Sequence, residues 1–336
     1  MVEFRQIAGG MEPRSGRRFA GGSFRVVVIS ADWRFLDAIV RTPVPLAAVV
    51  QVSWGKQIPS RSPLSPIKTV IGRGQEGMWR RLAKRRIPLL RLTASECAGA
   101  LPELLSQTRA NVGLSYKNPI FPSEVLEVPP LGIINLHPSL LPAYRGALPL
   151  VWMARDYCLE GGVTVHEMSR RADRGAILAQ APFQIRHGMS EDEIEHELIV
   201  KRGIPLAIRT LEQLAAGERP AQPQPSKSPT PVARFRSDSG IWEMIDWSDW
   251  SLAHIHHFLR QRPFWEHRLP TPCGWRRHVR WEIGEACRGT PHHAPGDITP
   301  TRLGYRIEHR DGFVVVRPRP SVSRLTSAVR RRLVQR

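Results

Sequence analysis

The sequence predicts an α/β fold built on a mostly parallel sheet, with a smaller second domain after it. Three observations carry this expectation. Residues 24–30 (FRVVVIS) form a nearly continuous apolar run, the pattern of a strand buried on both faces. A short helical pattern at 33–40 and a second apolar run at 46–52 complete a β-α-β opening. A third apolar strand, 132–137, is bounded by Pro129 and Pro130 before it and Pro138 after it. It carries polar residues at its C-terminal end, where open α/β sheets place their ligand crevice.

Taken in order, residues 1–22 are rich in Gly and Arg without apolar periodicity, which predicts a mobile arm. Residues 53–86 read as a Pro/Ser/Gly loop running into a basic helical stretch, and 87–90 and 110–116 as further strands. A helix is expected over 147–159, with Leu150, Val151 and Ala154 at a buried spacing. Residues 163–168 and 177–185 then read as an antiparallel pair. Ser190 and Glu193 make a capping box that opens a helix running to about Ala216, with a break where Gly203 and Pro205 interrupt it.

Five prolines in 220–231 (PAQPQPSKSPTP) give the composition of a semi-rigid linker. Beyond it stand an amphipathic segment at 249–260, short strands around 279–283, 305–308 and 313–316, and a turn at Pro295-Gly296-Asp297-Ile298. The expected organisation is therefore an arm (1–22), a catalytic domain (23–219), a linker (220–232), a small domain (233–320) and a basic tail (321–336) that contains Arg330, Arg331 and Arg332.

Composition narrows the class. With 336 residues and 41% hydrophobic content, a large core is available. Cys97, Cys158, Cys273 and Cys287 show no paired or metal-ligand spacing, and no apolar run reaches a membrane span, so a reduced, cytoplasmic protein with no membrane partner is expected. His254, His256, His257, His292 and His293 lack supporting carboxylates or thiols at ligand spacing, which makes them packing or exposed histidines and predicts no metal. The net charge of +19 suits an anionic partner, but Arg is spread along the whole chain and a solvated basic surface explains it as well.

Asn135 and His137 are two apart on their strand and so point to one face. An Asn amide can hold an oxygen on which charge develops, and His moves protons near neutral pH. Asp173 supplies a carboxylate to orient the imidazole if the loop after 163–168 folds back over the same sheet edge. Taken singly, each residue also has an ordinary reading: a satisfied strand-end His, an Asn in a turn, an Asp in a solvated loop.

The run Asn135-x-His137-Pro138-Ser139-Leu140-Leu141-Pro142, then Tyr144-Arg145-Gly146, then Asp173-x-Gly175, resembles the signature of the formyltransferase family that uses 10-formyltetrahydrofolate. The resemblance covers roughly residues 25–217 and, more weakly, the C-terminal part. It implies a Rossmann-like catalytic domain followed by a small OB-like β-barrel. It also implies transfer of a formyl group to a primary amine, with Asn135, His137 and Asp173 as the catalytic trio and no metal. Main-chain contacts to the folate are implied for Asn118, Pro119, Ile120 and Phe121, joined by Ser169, Arg170, Arg171 and Ala172. Tyr116 and Phe121 also have core packing as a reading. Substrate contacts are implied for Ser139, Tyr144, Arg145 and Gly146.

The acceptor stays open. The phrase RADRGAILAQ is closer to amino-sugar formyltransferases than the Leu-Asp-Thr-Gly phrase usual in the tRNA enzymes. The first loop, Ser30-Ala31-Asp32-Trp33, departs from the family's Gly-Thr-Pro-like turn. These two features favour a small-molecule amine, an amino-sugar nucleotide or amino-acid-like metabolite. The stretch 262–267 blurs the usual pattern of the family's C-terminal module. The C-terminal module, the net charge and the basic insertion with Lys56, Arg61, Arg73 and Arg80 favour methionyl-tRNA instead, and hydrolysis or binding without catalysis are further alternatives.

Overall fold

The computed structural model describes residues 24–55, 73–269 and 279–320. The expected arm, Lys56, Arg61, Cys273 and the basic tail lie outside the described residues. Eleven strands are described: β1 (Val26–Ser30), β2 (Leu46–Ser53), β3 (Leu89–Thr93), β4 (Val112–Tyr116), β5 (Ile133–His137), β6 (Glu160–Glu167), β7 (Ile177–Gln184), β8 (Val279–Arg288), β9 (Ile298–Pro300), β10 (Tyr305–His309) and β11 (Gly312–Pro320). The first seven form one sheet in the order β3-β2-β1-β4-β5-β6-β7. Its pairs from β3 to β5 are parallel, and β6 with β7 is antiparallel. The described chain divides into two compact units, one up to Asn135 with Pro205–Ala221, the other Leu136–Ile204 with the residues from Gln222 onward.

In the first unit β1 is the central strand and is buried throughout, as its unbroken apolar run requires. The departing turn after it has a local reason. Ser30 Oγ donates to Tyr116 O at 2.6 Å, and Asp32 Oδ1 accepts from the backbone of Arg34 and Phe35. Ser30-x-Asp32 thus ends one strand and caps the helix Trp33–Val40, whose Phe35, Leu36, Ile39 and Val40 are buried. Tyr116 and Phe121 are buried in the core, the packing reading for both. β3 begins later than its apolar pattern because Ile87 N donates to Leu82 O, closing the helix Arg73–Lys84. The helix Cys97–Gln107 follows β3 and forms despite Gly99 and Pro102 inside it; Cys97, Leu101 and Leu105 bury its inner stripe.

In the second unit the helix over 147–159 contracts to Pro149–Arg155. The Ser190 capping box is present, and the expected break takes the form of a π-helical stretch, His196–Gly203, after which the α-helix Ile204–Ala215 continues into residues of the first unit. A Cβ on Gly203 would lie 2.7 Å from Leu136 Cδ2, so this close approach needs glycine. The C-terminal part is a four-stranded antiparallel sheet, order β8-β11-β10-β9. It shares a core with the helix Leu252–Leu259, in which Ile255, Phe258, Phe264, Trp265, Ile307, Val314 and Val316 are buried. Among the described residues, no helix is long and apolar enough to cross a membrane.

The proline-rich segment is hydrogen-bonded along its length within this unit. Gln222 exchanges backbone hydrogen bonds with Ile177 at 2.8 Å, Ser228 Oγ donates to Pro142 O at 2.8 Å, and Ala233 N donates to Arg145 O at 2.7 Å.

Four histidines join the helix Leu252–Leu259 to the loop after β7 and to β8. Gly284 O can only accept, so His256 Nε2 carries a hydrogen (2.8 Å) and its Nδ1 accepts from His187 Nε2 (3.1 Å). His187 Nδ1 then accepts from Tyr157 OH, and His257 Nδ1 accepts from Gly188 N. His254 stacks between Trp250 and Tyr157. Burial first, and then the neighbouring histidines, push His257 down to about 4 from 6.5. The folded state therefore favours the neutral ring. Its contribution is complete above about pH 6.5 and is lost as pH falls towards 4. The urea midpoint should decline across that window, and H257Q should make the decline shallower; an unchanged slope in H257Q would remove His257 as a cause.

Candidate active site

β5 delivers Asn135 and His137 at its C-terminal end, two residues apart and hence on one side of the strand. His137 is 4% exposed. Its Nε2 lies 2.9 Å from Tyr144 O, which can only accept, so Nε2 carries a hydrogen in the neutral ring. The opposite nitrogen, Nδ1, faces Asp173 Oδ2 at 3.7 Å. The loop after β6 does fold back on the strand end, as the trio requires.

Asp173 is held from three sides. Gly146 N donates to Oδ2 at 2.8 Å, and His166 Nε2 stands 3.6 Å from Oδ1. Its side chain is only 14% exposed. His166 was not singled out from the sequence, because one His in the apolar run GVTVHEM reads as a core residue. Its ring is 1% exposed and donates through Nδ1 to Glu167 O at 2.8 Å. Burial is the largest influence on it and outweighs the attraction of Asp173, holding it down at about 4. The 3.6 Å approach is therefore a contact between a carboxylate and a neutral ring near pH 7, not an ion pair.

The backbone is shaped to make this possible. Asp173 and Tyr144 adopt left-handed φ of +53° and +56°, and Gly146 has φ of +126°. A Cβ on Gly146 would sit 2.6 Å from Ala233 O, and one on Gly175 would sit 1.8 Å from Glu167 O. Both glycines of the motif are thus steric necessities.

The other expected contacts have specific places. Ser139 is buried and its Oγ donates to Ala143 O at 2.7 Å, so it shapes the loop. Tyr144 directs its hydroxyl towards Cys158 and Asp156, and burial raises its pKa well above the ordinary phenol. Arg145 is 2% exposed and gripped by Gln224 Oε1 at 2.7 and 3.0 Å. Asn118 donates to Ser115 Oγ at 2.8 Å, Ile120 is 66% exposed and Phe121 is buried. Ser169 Oγ donates to Arg171 O, and Ser169, Arg170 and Arg171 border an open cleft of about 470 Å³, with Ala172 following in the same loop.

Gln224 and Thr230 escaped sequence reading because they sit in what looks like a linker. Gln224 Nε2 donates to Asp173 O at 3.1 Å and Gly175 O at 2.6 Å, while Thr230 Oγ1 accepts from Tyr144 N at 2.6 Å. No feature of their local sequence marks them. Among the described residues no cluster of three or more His, Cys, Asp or Glu side chains could hold a metal ion.

Comparison with known proteins points to a family and to related folds. Residues 95–204 match the Formyl transferase family. A methionyl-tRNA formyltransferase of Roseiflexus castenholzii is 30% identical over 215 residues, covering 63% of this chain and 66% of that protein. The fold is shared with WlaRD, a sugar 3N-formyltransferase solved in the presence of dTDP and 5-N-formyltetrahydrofolate, at a TM-score of 0.54 and 14% identity over 88% of this chain and 97% of that one. It is also shared with HypX from Aquifex aeolicus, at a TM-score of 0.53 and 15% identity over 87% of this chain and 43% of that one.

The Gly146 geometry has a direct test. Gly146→Ala adds an unfavourable φ and a backbone clash, and is expected to cost roughly 2 kcal/mol or more. Urea unfolding followed by tryptophan fluorescence measures it; a stability equal to wild type would show that this turn is not constrained as described.

Proposed function

Since the chain belongs to the formyl transferase family, we propose that it moves a formyl group from 10-formyltetrahydrofolate to the primary amine of a small-molecule acceptor, an amino-sugar nucleotide or amino-acid-like metabolite. The observation that carries the reading is His137, buried between Tyr144 O and Asp173 and two residues beyond Asn135 on β5.

Each residue then has a job. Asn135 donates its amide N–H to the formyl oxygen as the amine adds to the carbonyl carbon and negative charge grows on that oxygen. His137 takes the proton that the attacking nitrogen sheds, at the Nδ1 facing Asp173, and returns a proton to the departing folate nitrogen. Asp173 stabilises the charged imidazole meanwhile, and His166, neutral and buried, keeps the carboxylate flanked without titrating. Main-chain contacts to the folate are assigned to residues 118–121, where Ile120 offers an exposed apolar surface, and to Ser169–Ala172. The fit is chemical as well as geometric: formyl transfer needs only a donor for oxygen and a carrier for one proton, both of which this set offers.

A second reading has methionyl-tRNA as acceptor, favoured by the Roseiflexus relative. The four-stranded C-terminal sheet, taken as part of an OB-like barrel, would then engage nucleic acid. Both readings suit a cytoplasmic enzyme.

Tetrahydrofolate release from 10-formyltetrahydrofolate, measured with amino-sugar nucleotides and with charged initiator tRNA, separates them. Stimulation by the small amines is expected; stimulation by tRNA alone would replace the first reading with the second, and release without either would indicate hydrolysis. His137→Ala should lower transfer by about 10²- to 10⁴-fold while folate binding persists. Activity surviving that change would dismiss the mechanism.

A further inference from the structure

Four arginines, Arg145, Arg170, Arg171 and Arg174, converge on the cleft of about 470 Å³ beside the Asp173 loop, together with Gln224 and Ser226. Their contacts are notable for what accepts them. Arg145 donates to Gln224 Oε1, to Pro225 O at 2.8 Å and to Ser226 O at 3.4 Å; Arg174 donates to Ser226 O at 2.8 Å. All of these acceptors are neutral. Among the described residues, no carboxylate forms an ion pair with any of the four arginines.

Asp173 attracts Arg145 electrostatically without an ion pair, and its carboxylate is already held by the Gly146 N–H and flanked by two histidines. Burial and then the charge of Arg174 lower the pKa of Arg145, and the charge of Asp173 offsets only part of this, so packing and neutral acceptors keep the guanidinium in place. A buried arginine locked in one orientation, with three like charges around an open cleft and one carboxylate beside it, leaves net positive charge bordering a space of small-ligand size. Guanidinium forks match oxyanions in pairs, and four of them match a group carrying more than one negative charge.

We propose that this cleft binds the phosphate groups of the formyl acceptor, a phosphate- or diphosphate-bearing amine of the nucleotide-sugar type. The inference rests on the transfer reading above and assigns to Arg174, Arg145 and Gln224 the task of setting acceptor class. The glutamyl carboxylates of a folate tail share the oxyanion chemistry, and the test tells the two sources apart.

Inorganic pyrophosphate is titrated calorimetrically into the full-length protein at low and at physiological salt. One salt-sensitive site is expected, weakened at least about tenfold by Arg174→Glu. Arg170→Glu, on the exposed side of the loop, should weaken it as well, and thermal melts report whether each variant is folded. In parallel, 5-formyltetrahydrofolate is titrated as its mono- and triglutamate, with Arg174→Glu expected to leave the ratio of the two affinities unchanged. Absence of pyrophosphate binding to wild type, or a folded Arg174→Glu that loses triglutamate preference but keeps pyrophosphate, would overturn the proposal. Because pyrophosphate binding needs no turnover, a protein that binds it and transfers no formyl group would count against the transfer reading and not against the cleft.

Discussion

The hydrogen bond from Gly146 N to Asp173 is the interaction on which the site depends. It ties the turn after β5 to the loop after β6, and neither segment would place its side chain without the other. A carboxylate that is mostly buried needs donors to stay charged, and here one backbone N–H supplies the direct bond while two imidazoles stand at longer range. The left-handed backbone at Asp173 and the glycine-only conformation at Gly146 are the local strain that this arrangement requires, and the glycines at 146 and 175 relieve what would otherwise be overlap.

Around that bond the two flanking histidines divide the work by environment. His137 has an acceptor on each side, one a carbonyl and one a carboxylate. His166 donates to a carbonyl and is sunk in the strand core, where burial keeps it neutral. Two identical side chains beside one carboxylate therefore differ in their hydrogen-bond partners, through Nε2 to Tyr144 O for His137 and through Nδ1 to Glu167 O for His166.

Much of this was readable beforehand, and the reasons are specific. β1, β2 and the helix Trp33–Val40 follow from apolar continuity and helical spacing, and the Ser190 capping box is a short-range signal that survives in the fold. The motif residues Asn135, His137 and Asp173 were recognisable by their order. His166 was not, since a buried histidine and a functional one look alike in an apolar strand. The helix Cys97–Gln107 forms despite Pro102, because tertiary burial of Cys97, Leu101 and Leu105 outweighs propensity. Gln224 and Thr230 were hidden for another reason: their partners lie 79 and 86 residues away, and composition alone made their segment a linker.

That last segment changes how the chain can be handled. Its proline content invites a cut or a graft, the natural place to exchange one catalytic part for another. Yet residues from Gln222 to Ala233 hold Arg145, Asp173 O, Gly175 O and the turn at Tyr144. A chimera joined at this stretch would keep both of its parental sequences whole and still carry a mismatched pocket wall, so modular swaps in this protein must move the proline-rich stretch together with the loops it fastens.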